Sequence, residues 1–209
     1  MRARAFAGAA LLASLFMLIP GVAAGQTAGK PAASAQPAEM TKLWIVGGGG
    51  SSTFLADCTE CGEPEHYEHS GGLLVSAGRS VTRKLDFGAE LFWSTSGTTA
   101  GGDRARTTFA LVTTQFRPWQ SQGFFVKAGI GIAFIRNNVT INDQSGEFLT
   151  KALSVSIGGG WEWRFSRRFG AEIYAAQYAA AAGDILVSAG TANNVLVNYW
   201  SVGGAIVIR

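Results

Sequence analysis

Between Ala152 and Phe165 hydrophobic residues keep to one phase: Leu153, Val155, Ile157, Trp161, Trp163 and Phe165 alternate with Ser154, Ser156, Gly158, Gly160, Glu162 and Arg164. A period of two sorts side chains onto the two faces of a β-strand, whereas a helix would scatter them around its axis. The segment Gly123 to Arg136 repeats the design, with Phe124, Val126, Ala128, Ile130, Ile132 and Phe134 set against Lys127, Gly129, Gly131 and Ala133. Six further stretches, at about 42–51, 71–82, 86–96, 105–117, 169–182 and 195–208, bring the count to eight strands. In 71–82 and 105–117 apolar residues such as Leu73 and Leu74, or Phe109 and Ala110, occupy both phases.

The connections alternate in length. Those around Arg83-Lys84, Pro118 to Gln122 and Ser166 to Arg168 are short, and those at 52–70, 97–104, 137–149 and 183–194 are longer. In an up-and-down barrel this puts all short turns on one rim and all long loops on the other, the periplasmic and extracellular asymmetry of transmembrane barrels. An internal repeat agrees with that register. Phe87-Gly88-Ala89-Glu90-Leu91 and Phe169-Gly170-Ala171-Glu172-Ile173 each follow a basic short turn, with Gly and Glu directed to the lumen and the apolar residues to lipid.

Composition changes the picture by saying what the greasy faces meet. The chain is 47% hydrophobic and only 15% charged, against about 25% charged in an ordinary soluble domain. Residues 1–25 read as a secretory signal peptide: basic Arg2 and Arg4, an apolar run through Leu11 and Leu18, then small Ala23-Ala24-Gly25. Residues 26–41, rich in Ala, Pro, Ser and Gln, read as a flexible periplasmic lead-in, leaving 42–209 as the barrel domain. Loss of the signal removes two of 17 basic and none of 14 acidic residues, so the net charge falls from +3 to +1. That near neutrality sets nucleic acid aside as a partner. No apolar run of the mature chain is long enough for a membrane helix, so a bilayer can be crossed only by a closed sheet.

The ending Ser201-Val202-Gly203-Gly204-Ala205-Ile206-Val207-Ile208-Arg209 resembles the polar-x-Gly-x-x-apolar-x-apolar closing signal of outer-membrane barrels, with Ile206 and Ile208 where aromatics are usual and Arg209 added. With the signal peptide and the alternating strands, the chain resembles the small outer-membrane β-barrel family of OmpA-like and OmpX-like architecture over residues 42–209. The resemblance implies an all-β, eight-stranded antiparallel up-and-down barrel in the cell outer membrane. Outer-membrane lipid and lipopolysaccharide would surround it, and the barrel assembly machinery would recognise its C-terminal strand. The resemblance says little about activity; a monomer without a cofactor is expected. Trp44, Trp93, Trp119, Trp161, Trp163 and Trp200, with Phe124, Phe165 and Phe169, read as interfacial aromatic girdles. A soluble sandwich or lipocalin-like binder with the same strand count would need more charge on its wet face.

Two groups of residues carry candidate chemistry. A barrel of eight strands has a lumen just wide enough for side chains to fill, and Glu90, Lys127, Glu162, Arg164 and Glu172 face into it near the short-turn rim. They read either as a mutually satisfying network that plugs the lumen or as the gate of a narrow channel for ions or small solutes. The first long loop holds Cys58-x2-Cys61-x4-His66-x2-His69. A Cys58 to Cys61 disulfide suits an oxidising compartment, while the four residues together offer two thiolates and two imidazoles to a tetrahedral metal. His66 or His69 beside Ser70 is the sole arrangement suggesting a hydrolase, and it lacks an orienting partner and an oxyanion hole, so no enzyme is expected. The overall expectation is a structural or interaction module displaying extracellular loops above a plugged lumen, with the gated channel as the alternative.

Overall fold

The computed structural model describes residues 43–209, apart from 58–67, 99–103, 120–122, 142–143 and 188–189. The signal segment 1–25 and the lead-in 26–41 therefore lie outside the described residues. Eight strands follow one another: β1 (Leu43–Asp57), β2 (Glu68–Ser80), β3 (Leu85–Thr98), β4 (Arg104–Phe116), β5 (Phe124–Ile141), β6 (Gln144–Arg164), β7 (Phe169–Val187) and β8 (Gly190–Ile208). Each pairs antiparallel with the next, and β8 pairs with β1, closing the barrel. An even strand number lets the last strand meet the first antiparallel, and closure leaves no edge with unpaired backbone groups.

Register fixes the geometry. A path across paired residues from Trp44 runs through Gly78, Gly88, Thr113, Gly129, Ser156, Tyr178 and Tyr199 and returns to β1 at Phe54, ten residues farther on. With about 3.3 Å per residue and about 4.8 Å between strands, that stagger tilts the strands by about 40°. The ten residue steps from Phe124 to Phe134 then span about 25 Å of barrel height, the thickness of the apolar band on such barrels.

Two short turns are built alike. Thr82 Oγ1 accepts hydrogen bonds from the Lys84 and Leu85 amides at 3.2 and 3.0 Å, and Ser166 Oγ accepts from the Arg168 and Phe169 amides at 3.2 and 3.0 Å. A hydroxyl that caps its own turn lets the chain reverse tightly, which places the repeated Phe-Gly-Ala-Glu segments at matching levels on β3 and β7.

The far rim differs from the sequence reading. Residues 137–149 and 183–194, expected as loops, are largely strand: β5 and β6 stay paired to Ile141↔Gln144, and β7 and β8 to Val187↔Gly190. Likewise β1 extends to Asp57 and β2 begins at Glu68 within the expected 52–70 loop. The sequences of these ends, such as 144–148 QSGEF and 190–194 GTANN, carry no sustained period-two hydrophobic alternation, so backbone pairing continues where no pattern marks it.

The two faces of the wall follow the alternation. Leu43, Leu153 and Val202 point outward, each about two-thirds exposed or more (72%, 67% and 65%). An apolar surface of this extent is unsustainable in water and is the face a bilayer covers. Register also settles the ambiguous strands, since Leu74, Phe109 and Leu111 are buried while Leu73, Val75 and Val112 face out. Trp93, Trp119, Trp161, Trp163 and Trp200 are outward. Trp44 is not: it is buried in the lumen, where its ring lies over Gly78 and Gly88, and a Cβ at either would come within 3 Å of it. Leu43 and Ile45 take the outward phase on β1 and leave Trp44 the inner one.

Candidate functional site

The lumen holds two groups of charges with an aromatic layer beyond them. At the short-turn rim Glu162 and Glu172 are direct register partners on β6 and β7, both buried. Carboxylates placed opposite each other repel, and three arginines converge on Glu162. Arg117 Nη2 donates to it at 2.9 Å, Arg164 Nε at 3.0 Å, and Arg209 through Nη2 and Nε at 2.8 and 3.2 Å. Arg117 also pairs with the buried Asp86 of β3, tying opposite walls together. Backbone geometry holds Glu162 in place, because its amide donates to the Gly123 carbonyl at 2.9 Å. Gly123 has φ +74°, and a Cβ there would strike the Glu162 carbonyl at 2.1 Å, so glycine is required.

Deeper in the lumen Lys127 of β5 pairs with Glu90 of β3, and the Tyr178 hydroxyl donates to the other Glu90 oxygen at 2.9 Å. Tyr178 then stacks on Phe92 with centroids 4.2 Å apart and planes 3° from parallel. Phe109 packs against both, and Tyr199 meets Phe109 edge-on at 5.7 Å while donating to Thr107 Oγ1 at 2.8 Å. All four rings are fully buried. Above them Ser52, Ser70 and Ser94 join in a hydroxyl triangle with sides of 2.7, 2.8 and 2.8 Å.

The five lumen residues named from the sequence thus divide. Glu162 and Arg164 share one cluster, Lys127 and Glu90 another, and Arg164 is more than half exposed at the rim. Glu172 is buried beside Glu162 without an ion pair among the described residues. Lys127 reaches over β4 to Glu90 on β3, two strands along the wall, and not to Glu162, Arg164 or Glu172 on β6 and β7; the contact to Glu90 that crosses the lumen is the one from Tyr178 on β7. Asp86, Arg117, Tyr178 and Arg209 complete the network and were not singled out from the sequence. Arg117 and Arg209 stand just beyond strand ends, where alternation assigns no face. An arginine beside the short turn before Pro118 was the available signal.

Of the first-loop residues, Cys58, Cys61 and His66 lie outside the described residues. His69 is exposed on the outward face of β2, its Nδ1 3.3 Å from Thr53 Oγ1. Ser70 points inward to Ser52 and Ser94, so His69 and Ser70 occupy opposite faces of the wall and do not form a nucleophile and base.

Comparison with solved structures bears on the fold. Neisserial surface protein A superposes with a TM-score of 0.52 at 11% identity, covering 82% of this chain and 99% of that one. The chain has the fold of the small outer-membrane β-barrels. The attachment invasion locus protein Ail of Yersinia pestis is also similar, with a TM-score of 0.49 at 10% identity over 81% of this chain and all of that one. The N-terminal barrel domain of Pseudomonas aeruginosa OprF gives 0.41 at 13% identity, over 81% and 98%. No family model and no curated protein sequence matches. At these identities the likeness shows the fold alone, and the apolar outer band is the separate observation that sets the barrel in a bilayer.

Proposed function

We propose that the protein is a structural and interaction module of the outer membrane: a monomeric barrel, closed inside, that holds the β1–β2, β3–β4, β5–β6 and β7–β8 ends above the outer leaflet. One observation carries this reading, the Glu162 cluster with Arg117, Arg164 and Arg209 across the short-turn rim. Opening a path there would separate several buried charges from their partners, at about 3–5 kcal/mol for each pair broken. The aromatic layer beyond it is packed ring against ring, which suits a plug better than a water-filled passage. The short-turn rim, carrying Arg83, Lys84, Arg167 and Arg168, faces the periplasm in this orientation, and the C-terminal strand β8 serves as the contact for the assembly machinery.

Purified protein in planar bilayers is expected to show negligible conductance, both as wild type and as Lys127→Ala. Regular single-channel steps that change on Lys127→Ala would establish the gated channel instead. Cysteine introduced at Asn138, at the exposed β5–β6 end, is expected to react with a membrane-impermeant maleimide on intact cells. Labelling only after outer-membrane permeabilisation would reverse the orientation.

A further inference from the structure

Outside the barrel, at the end of the wall opposite the short turns, Arg106 of β4 and Arg136 of β5 are direct register partners, both exposed on the outward face. Lys151 of β6 lies diagonal to Arg136, since Arg136 pairs with Leu149 and Lys151 with Phe134. Glu147 accepts a hydrogen bond from Arg136 at 3.2 Å. Among the described residues neither Arg106 nor Lys151 has a carboxylate in ion-pairing reach. Three cations and one carboxylate therefore share a patch in which like charges stand face to face, an arrangement that costs stability unless an anion joins them.

The position of the patch says which anion. Phe134 is the last aromatic of the outward phase on β5, and Arg136 is the next outward residue above it. The cations thus stand together at the top of the apolar band on β4, β5 and β6, at the level of lipid headgroups. Directly below, the same wall is hollowed into a groove of about 490 Å³. Its floor is Ala77, Ala89 and Ala110, and its sides include Leu91, Ile132 and Phe134. Phe134 joins the two features, as it borders the groove and is the register partner of Lys151. Guanidinium groups bind phosphate oxygens in bidentate fashion, and an alkyl chain fills an apolar groove without directional demands.

We infer that this wall is a binding site for one phosphate-bearing, acylated glycolipid of the outer leaflet, its phosphate held between Arg106 and Arg136 with Lys151 alongside, and one acyl chain lying in the groove. The site rests on the orientation proposed above, with the β5–β6 end outward, and deepens the partner side of that reading. The phosphate offsets the Arg106 and Arg136 repulsion, and the groove selects for a chain anchored directly beneath it.

The test uses the full barrel in nanodiscs of phosphatidylethanolamine containing bisphosphorylated lipid A, with bound lipid counted by native mass spectrometry. Wild type is expected to retain one lipid A, and Arg106→Gln/Arg136→Gln to retain about tenfold less. Ala110→Phe, which fills the groove and leaves the cations, is expected to reduce retention by a smaller factor. Dephosphorylated lipid A should not be retained, and inorganic phosphate at millimolar level should not displace the intact lipid. Heat-modifiable migration confirms that each variant is folded, and Arg106→Lys/Arg136→Lys, which keeps the charge but not the bidentate fork, should fall between wild type and the double Gln variant. Equal retention by wild type and the double Gln variant, or of the dephosphorylated lipid, would overturn the site. The Asn138 labelling experiment reports orientation separately, so a wrong orientation and a wrong site are distinguishable.

Discussion

Among the described residues two like-charged pairs stand directly opposite in the ladder, Glu162↔Glu172 inside the short-turn rim and Arg106↔Arg136 outside the far end. They meet opposite solutions. The carboxylates are buried, and Glu162 is gripped by three arginines drawn from a turn, its own strand and the chain end. The arginine pair is exposed and answered by a single carboxylate, Glu147, whose pair with Arg136 is more than half exposed on both sides. In the low-dielectric lumen an unanswered charge costs several kcal/mol, so the fold supplies its own counter-ions. At the headgroup level water screens most of the repulsion, and the protein can leave the charge for a ligand to complete.

The largest effect expected from breaking this contrast follows Glu162→Gln. Three guanidinium groups would lose their common carboxylate while Asp86 alone remains against Arg117. Stability measured by urea unfolding of the barrel in phospholipid vesicles should fall by about 4 kcal/mol. A loss under about 1 kcal/mol would mean that the rim is wet enough for water to take over, and the plug reading would weaken with it.

Lys127→Met comes next. It strips Glu90 of its cation but leaves the Tyr178 hydroxyl donating to it, so the expected loss is about 3 kcal/mol in the same assay. The double variant Lys127→Met/Glu90→Gln should regain most of that loss, since an uncharged amide still accepts from Tyr178 and no buried charge is stranded. Double-variant stability no better than the single would show that Lys127 matters through packing rather than through its charge.

How much of this was legible in the sequence follows from where each residue sits relative to the bilayer. Glu90 and Glu172 were assigned to the lumen because each lies in a segment whose other face is apolar; both are buried. The partner of Glu90 was not legible in the same way. Tyr178 is 88 residues away, and only the stagger of the closed barrel brings it within 2.9 Å. Trp44 was misplaced among the girdle aromatics because a tryptophan near a strand end suits either face; the glycines at 78 and 88 that make room for it are visible only through register. The ribbon ends of β5 through β8 were read as loops because their polar, Asn-, Gly- and Thr-rich sequences carry no sustained period-two alternation. Arg106 and Arg136, 30 positions apart, look like isolated surface charges until the ladder sets them side by side.

The smallest effect on stability is expected at Glu147→Gln, and it sharpens the comparison most. An exposed pair contributes about 0–1 kcal/mol, so unfolding should shift by less than about 0.5 kcal/mol. Inside the lumen the matching operation, removal of the one carboxylate that answers the cations, is expected to cost several times more. Retention of lipid A should move the other way. Without Glu147, Arg136 no longer divides its donors between a carboxylate and a phosphate, and the patch gains one net positive charge, so the lipid should be held more tightly and its release should become more sensitive to salt. A fall in retention on Glu147→Gln would show that this carboxylate positions Arg136 for the phosphate instead of competing with it, and would place Glu147 within the binding site.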